Sequence, residues 1–166
     1  MTIRIVTDSA CDLPQYIVDQ YKISIVPLSV RFGEHEFIDR QDLTTEQFWK
    51  RCDSSPVLPE TAAPSPGQFE AEFRKLAAEG ATGIVMISLS GILSATMQSA
   101  ELAAKAVAGH ISVRIVDSRS GSMGQGITVI ACAKLAASGA SLDDVVALGE
   151  NLALRSKVWG ALDTLE

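Results

Sequence analysis

Hydroxyl side chains crowd one short stretch of this chain: Ser88, Ser90, Ser94, Thr96 and Ser99, with Gly91 among them. They follow the apolar run Ile84-Val85-Met86-Ile87, which suits a strand buried on both faces of a parallel sheet. Met97, Ala100, Ala104 and Val107 then recur at helical spacing. The stretch from Ile84 to Ala100 therefore reads as strand, hydroxyl-rich loop, helix. Ser94 is the expected N-cap, which leaves free backbone N–H groups just beyond it. A strand end feeding a helix N-terminus is where open α/β sheets bind anions. Neutral hydroxyls and N–H donors suit a carboxylate or a phosphate. The plainer account is that Ser94 only caps and the other serines only solvate a loop; spacing alone leaves both open.

Other chemistry is poorly supplied. Asp8 ends the first strand, where a phosphatase nucleophile stands, but Ala10 occupies the place of the second acid in a DxD pair. Capping the turn toward Asp12 is its simpler role. The run Gly121-Ser122-Met123-Gly124-Gln125-Gly126 opens a helix after a strand, yet it reads GxxGxG, the reverse of the dinucleotide fingerprint. No GxxxxGK[ST] and no GxSxG is present. The two histidines, His35 and His110, fall in expected turns and activate no serine. Cys11, Cys52 and Cys132 are odd in number, form no CxxC pair and have no zinc spacing. They read as reduced thiols of a cytoplasmic protein, with Cys11 structural. Neither a cofactor nor a metal is expected.

Composition bounds the rest. With 166 residues, 47% hydrophobic and 20% charged, the chain has the means for one domain with a real core. A net charge of −6 argues against nucleic acid, whose phosphates demand clustered Lys and Arg. Met1-Thr2-Ile3-Arg4 leads straight into a strand without the pattern of a signal peptide. No apolar run approaches the ~20 residues that span a bilayer, so no stable membrane insertion is expected.

Positioning elements can be read in order. Ile3 to Val6 is a strand ending at Thr7-Asp8-Ser9. Asp12 with Gln15 is the expected start of a helix whose stripe is Ile17, Val18 and Tyr21. Ile23 to Val30 reads as a second strand, where Pro27 signals an edge or a bulge. Residues 31–43, rich in Asp and Glu, read as a solvated hairpin or loop. Thr44 with Gln47 caps a helix carrying Phe48 and Trp49. Prolines at 56, 59, 64 and 66 make 53–66 a loop, and Ser65-Pro66 with Gln68 starts a helix striped by Phe69, Phe73, Leu76 and Ala77. Ser112 to Val116 is a strand ending at Asp117-Ser118. Ser122 with Gln125 opens one helix, and Ser141 with Asp144 another, whose last turn holds Arg155. Alternating strands and helices give a mostly parallel sheet with helices on both faces. The ends Thr7-Asp8-Ser9, Ser88-Leu89-Ser90 and Asp117-Ser118 should then meet along one rim. Val158 to Leu162 reads as a strand beginning close to Glu166. The expected division is one α/β domain over 1–154 and the start of a second over 155–166.

These segments resemble, in order, the motifs of the DegV family. Thr7-Asp8-Ser9-Ala10-Cys11-Asp12-Leu13 is similar to its opening TDS-x-x-DL, and Thr61-Ala62-Ala63-Pro64-Ser65-Pro66 to its TSxPSP loop. Ser88 to Ala100 is similar to SLSSxLSGTYQSA. Val116-Asp117-Ser118 with Ser122, Gly124 and Gly126 resembles VxDS-x3-SxGxG. Leu162-Asp163-Thr164-Leu165-Glu166 looks like the start of the family's second domain. Two departures stand out: Ala62 replaces a hydroxyl, and Ala95 replaces a glycine. The resemblance implies a long-chain fatty acid held between two α/β domains, its carboxyl group presented to a separate fatty acid kinase subunit. By matching positions it implies that Thr61 and Ser94 bind the carboxylate. Ser90, Ala95, Met97, Asp117, Ser118 and Met123 would line the rim or pocket, and Ile87 and Leu93 are further candidates for an apolar tunnel. The competing reading is a small hydrolase or phosphatase using the rim of Asp8, Ser9, Ser90, Ser94 and Asp117. A third is an interaction domain without ligand.

Overall fold

The computed structural model describes residues 2–161. β1 (Ile3–Asp8) is the centre of a parallel sheet, pairing on one side with β2 (Ser24–Val26) and on the other with β6 (Gly83–Ser88), which in turn pairs with β7 (Val113–Asp117). The order β2-β1-β6-β7 places a reversal of winding between β1 and β6. α1 (Gln15–Tyr21), α5 (Ser122–Ala137) and α6 (Leu142–Arg155) cover one face, and α3 (Pro66–Ala78) and α4 (Thr96–Val107) the other. This is the expected α/β architecture with helices on both faces.

Strand alternation divides the core. Ile3, Ile5, Val85 and Ile87 pack with Leu13, Val129, Cys132 and Val145, while Val6, Ile84 and Met86 pack with Phe69, Phe73, Leu76 and Val107. Every residue of β6 is buried, as its unbroken apolar run requires. Ile87 belongs to this core and lines no tunnel. Fully burying side chains of this size contributes about 1.5–3 kcal/mol each.

A second, antiparallel sheet forms where the sequence suggests only a solvated hairpin or loop over 31–43 and a loop over 53–66. β3 (Ser29–Phe32) pairs antiparallel with β4 (His35–Ile38) and with β5 (Glu60–Ala62). The expected strand from Ile23 to Val30 is broken at Pro27, which supplies no N–H to a ladder, and its two halves serve different sheets. Gly33, at φ 60, turns the β3–β4 hairpin. α2 (Thr45–Ser54) packs Phe48 against Phe32, and Arg51 stacks over the Phe37 ring at 4.5 Å. Arg40 ties this small sheet to the main one by donating to the Leu13 carbonyl at 2.9 Å and to Gln15 Oε1 at 3.1 Å.

The caps at Thr44/Gln47, Ser65/Gln68 and Ser141/Asp144 form complete capping boxes. Three expectations about helix starts need correction. Asp12 takes a left-handed conformation, and α1 begins after Pro14 instead. Its Gln15 side chain donates to Asp19 Oδ1. Gly121, not Ser122, holds the N-cap position of α5, while Gln125 is turned into the core. The N-cap position of α4 belongs to Ala95 rather than Ser94. Ser156 to Ala161 carry no regular structure, so the strand expected from Val158 does not form over its described part. Leu162 to Glu166, and the motif read there, lie outside the described residues.

Candidate functional site

Parallel pairing of β1, β6 and β7 brings their carboxyl ends side by side, so the rim expected from the sequence exists. Hydrogen bonds weave the three ends together. Ser118 N donates to the Ser88 carbonyl at 3.0 Å, and Ser90 N to the Ser120 carbonyl at 2.8 Å. Asp117 Oδ1 accepts from Gly91 N at 3.3 Å and from Arg119 N at 2.8 Å. Gly91 lies between Asp117 and Met97: a Cβ built there would stand 3.5 Å from Asp117 Oδ2 and 3.4 Å from Met97 Cε. Ser90, Met97, Asp117 and Ser118 thus form one cluster.

Between β6 and α4 the chain makes a tight turn. The Ser90 carbonyl accepts from Leu93 N and Ser94 N at 2.9 and 3.2 Å. Ser94 Oγ accepts from Thr96 N at 3.2 Å and lies 2.9 Å from Thr96 Oγ1. Although Ser94 is not the N-cap residue, its hydroxyl still engages the first turn, one position earlier than expected. The first turn of a helix offers N–H groups without intrahelical acceptors and carries the positive end of the dipole. Ser94 and Met97 are half-buried, Ala95 is exposed, and Thr96 is fully buried. In this turn Ile92 and Leu93 are 94% and 72% exposed, leaving apolar surface beside polar donors.

Thr61 comes from the other sheet. It sits on β5 opposite Val30, with its residue exposed. A capping box at Ser65 and Pro66 at the start of α3 fix the chain that follows it.

Below the rim lies a buried polar group centred on Asp8. Asp8 is fully buried. Its Oδ2 accepts from Leu89 N at 2.8 Å, and its Oδ1 from Ala10 N at 3.1 Å and Gln125 Nε2 at 3.0 Å. The Ala10 bond is the expected turn cap, over a 3-10 turn spanning Ser9–Cys11. Burial pushes the carboxyl above its ordinary value despite these donors. Gln125 also donates to Thr7 Oγ1 at 2.9 Å, and Thr7 donates to the Ile87 carbonyl at 2.8 Å. The visible signal for Gln125 was a long polar side chain between two glycines. A Cβ on Gly126 would stand 2.5 Å from the Cys11 carbonyl, so glycine lets α5 approach β1 closely enough to bury its neighbour.

Chemically, the rim offers the Ser94 hydroxyl and first-turn N–H donors beside the half-buried Asp117 carboxylate. Both carboxyl groups of the competing hydrolase reading already accept backbone N–H groups, and Asp8 has no exposed surface from which to attack a substrate. Among the described residues no group of three or more His, Cys, Asp or Glu could hold a metal ion, and no helix is long and apolar enough to cross a membrane.

Comparison with known proteins extends this picture. A family model described as an uncharacterised protein of the DegV family matches residues 2–166. A DegV domain-containing protein of Clostridium perfringens is 32% identical over 143 residues, which cover 86% of this chain and 50% of that protein. Among solved structures, a DegV family protein from Thermus thermophilus, described for its fatty acid binding, is 35% identical with a TM-score of 0.84. DegV from Bacillus subtilis, described as a fatty acid binding protein, is 28% identical with a TM-score of 0.87. Each similarity covers 93% of this chain and 54% of the other. The chain spans about half the length of the curated relatives it matches.

Proposed function

The chain belongs to the DegV family, and from that premise we propose that it binds a long-chain fatty acid, with the carboxylate at the carboxyl end of the parallel sheet. Thr61 and Ser94 are the contacts. The observation that carries this reading is the turn into α4, where the half-buried Ser94 hydroxyl and the first-turn N–H groups lie beside exposed Ile92 and Leu93, and the nearby Asp117 carboxylate is engaged by the Gly91 and Arg119 N–H groups. Such donors suit a carboxylate, and the apolar surface suits an acyl chain. Met97, Leu93 and Met123 line the start of the acyl path, with Ser90, Ala95, Asp117 and Ser118 at its polar mouth. The two neighbours described as fatty acid binding support the same ligand.

In this reading the chain is a cytoplasmic, non-catalytic carrier. It presents the carboxyl group to a fatty acid kinase subunit, which transfers the phosphoryl group. Residues 1–154 are the binding domain and 155–166 begin a second one. The reason is energetic: each methylene hidden from water contributes ~0.8 kcal/mol, and an open rim hides only part of a long chain. Titrating a fluorescent long-chain fatty acid into this chain, and into the same chain extended through the second half that its relatives carry, tests the proposal. The extended protein should bind far more tightly. No binding by either would refute the carrier reading, and equal affinities would refute the two-domain account.

A further inference from the structure

Resting on the reading that the Ser90–Ser94 turn receives a carboxylate, we propose that Asp8 and Gln125 are positioning residues for that turn. Their buried carboxylate–amide pair fixes where its donors point, without touching the ligand. Both side chains are fully buried, so neither can be a ligand contact at the surface. Their partners define the role. Pairing of β1 with β6 ends at Thr7 and Ile87, so beyond them the chain is held by a ladder only on the β7 side, through Ser88 and Asp117. Leu89 N is the next group there, and it donates to Asp8 Oδ2 at 2.8 Å. One residue on, the Ser90 carbonyl organises Leu93 N and Ser94 N. The turn is thus moored to β1 through Asp8 and to the β7 side through Asp117 and Ser120.

A surface turn cap needs only one acceptor, and asparagine or serine would serve. Asp8 instead gathers three donors at two oxygens: Leu89 N, Ala10 N and Gln125 Nε2. An ionised carboxylate is acceptor-only and can take them all, whereas an amide must turn its own NH2 toward at least one. Burying a charge beside an anion site is unfavourable by itself. The acceptor geometry, reinforced by the amide from α5, accounts for an acid in this position. Gln125 Oε1 is buried without a protein partner among the described residues, so this amide is oriented by its donor side alone.

The test compares wild type, Asp8→Asn, Gln125→Met, and the swapped pair Asp8→Asn/Gln125→Glu. The swap restores an amide–carboxylate contact at the cost of the Ala10 bond and of the amide's donations to Thr7 Oγ1 and the Ile87 carbonyl. Affinity is read with a fluorescent long-chain fatty acid and with its methyl ester, alongside amide exchange of the chain. In Asp8→Asn the preference for acid over ester should fall ~10-fold, the scale of one hydrogen bond to a charged group, while ester affinity stays the same. Exchange should rise at Leu89 to Ser94 and stay slow in β6. Gln125→Met should shift both readouts less, and the swap should recover part of the preference. A wild type with equal affinity for acid and ester would refute the carboxylate reading itself. A wild type that prefers the acid, with variants that keep that preference or exchange faster uniformly, would overturn only the positioning role.

Discussion

Ser94→Ala separates a ligand contact from a structural hydroxyl, because the two roles predict different double mutants. Thr96 is fully buried, and its hydroxyl has Ser94 Oγ at 2.9 Å as its partner. If Thr96 donates to Ser94, the Ser94 proton is free to point outward to a carboxylate. Removing the Ser94 hydroxyl then has two consequences. It deletes one hydrogen bond to a charged group, about 1.5–3 kcal/mol, or ~10- to 100-fold in affinity. It also strands the Thr96 hydroxyl, at about 1–3 kcal/mol of folding stability. For a chain of this size each kcal/mol lowers Tm by roughly 2–4 °C. Adding Thr96→Val removes the stranded group, and loss of both partners is nearly neutral. The double mutant should therefore regain the part of the melting temperature lost with the stranded hydroxyl, but neither the part lost with the Thr96 N bond nor any of the affinity. Titration of the extended protein with a fluorescent fatty acid and a thermal melt of this chain give both numbers. Unchanged affinity in Ser94→Ala, or affinity that returns together with stability in the double mutant, would refute the contact.

Gly126→Ala places a Cβ 2.5 Å from the Cys11 backbone carbonyl, so α5 must retreat from β1. Overpacking of this kind costs about 1–3 kcal/mol, and an unchanged urea midpoint would contradict the close approach. Asp8 has a folded pKa raised above 3.8, so its contribution to stability is present below that value and is lost as pH rises through the higher one. The stability difference between wild type and Asp8→Asn should shrink across that interval and then level off; a difference flat from pH ~3 to 7 would show that the carboxyl is not perturbed. Burial pushes the Cys11 and Cys132 thiols up to about 11 and about 12. Half-buried Cys52 should therefore be alkylated first by iodoacetamide at pH ~8, with Cys11 and Cys132 reacting only on unfolding. Peptide mapping showing Cys11 labelled first would contradict its packing.

The parallel sheet was legible because its signals are local: apolar runs for β1 and β6, and capping boxes at Ser65 and Ser141. The small sheet was not. Its β5 pairs Thr61 with Val30 across thirty intervening residues, and prolines around it mimic plain loop. Nothing local distinguishes such a strand, since its stability comes from cross-strand partners. The candidate site divides the same way. The strand, turn and helix around Ser88 to Thr96 follow from the local pattern, while the cap position moves from Ser94 to Ala95. Spacing to Ser122 makes Gln125 a capping partner, which is a purely local signal. Its actual partners, Asp8 and Thr7, lie 117 and 118 residues away. The same glutamine can close a helix end or satisfy a buried carboxylate. What decides between them is how near α5 comes to β1, and that depends on Gly126 facing the Cys11 carbonyl. Local patterns locate elements, but a polar residue's role is set by the acceptor that folding brings against it.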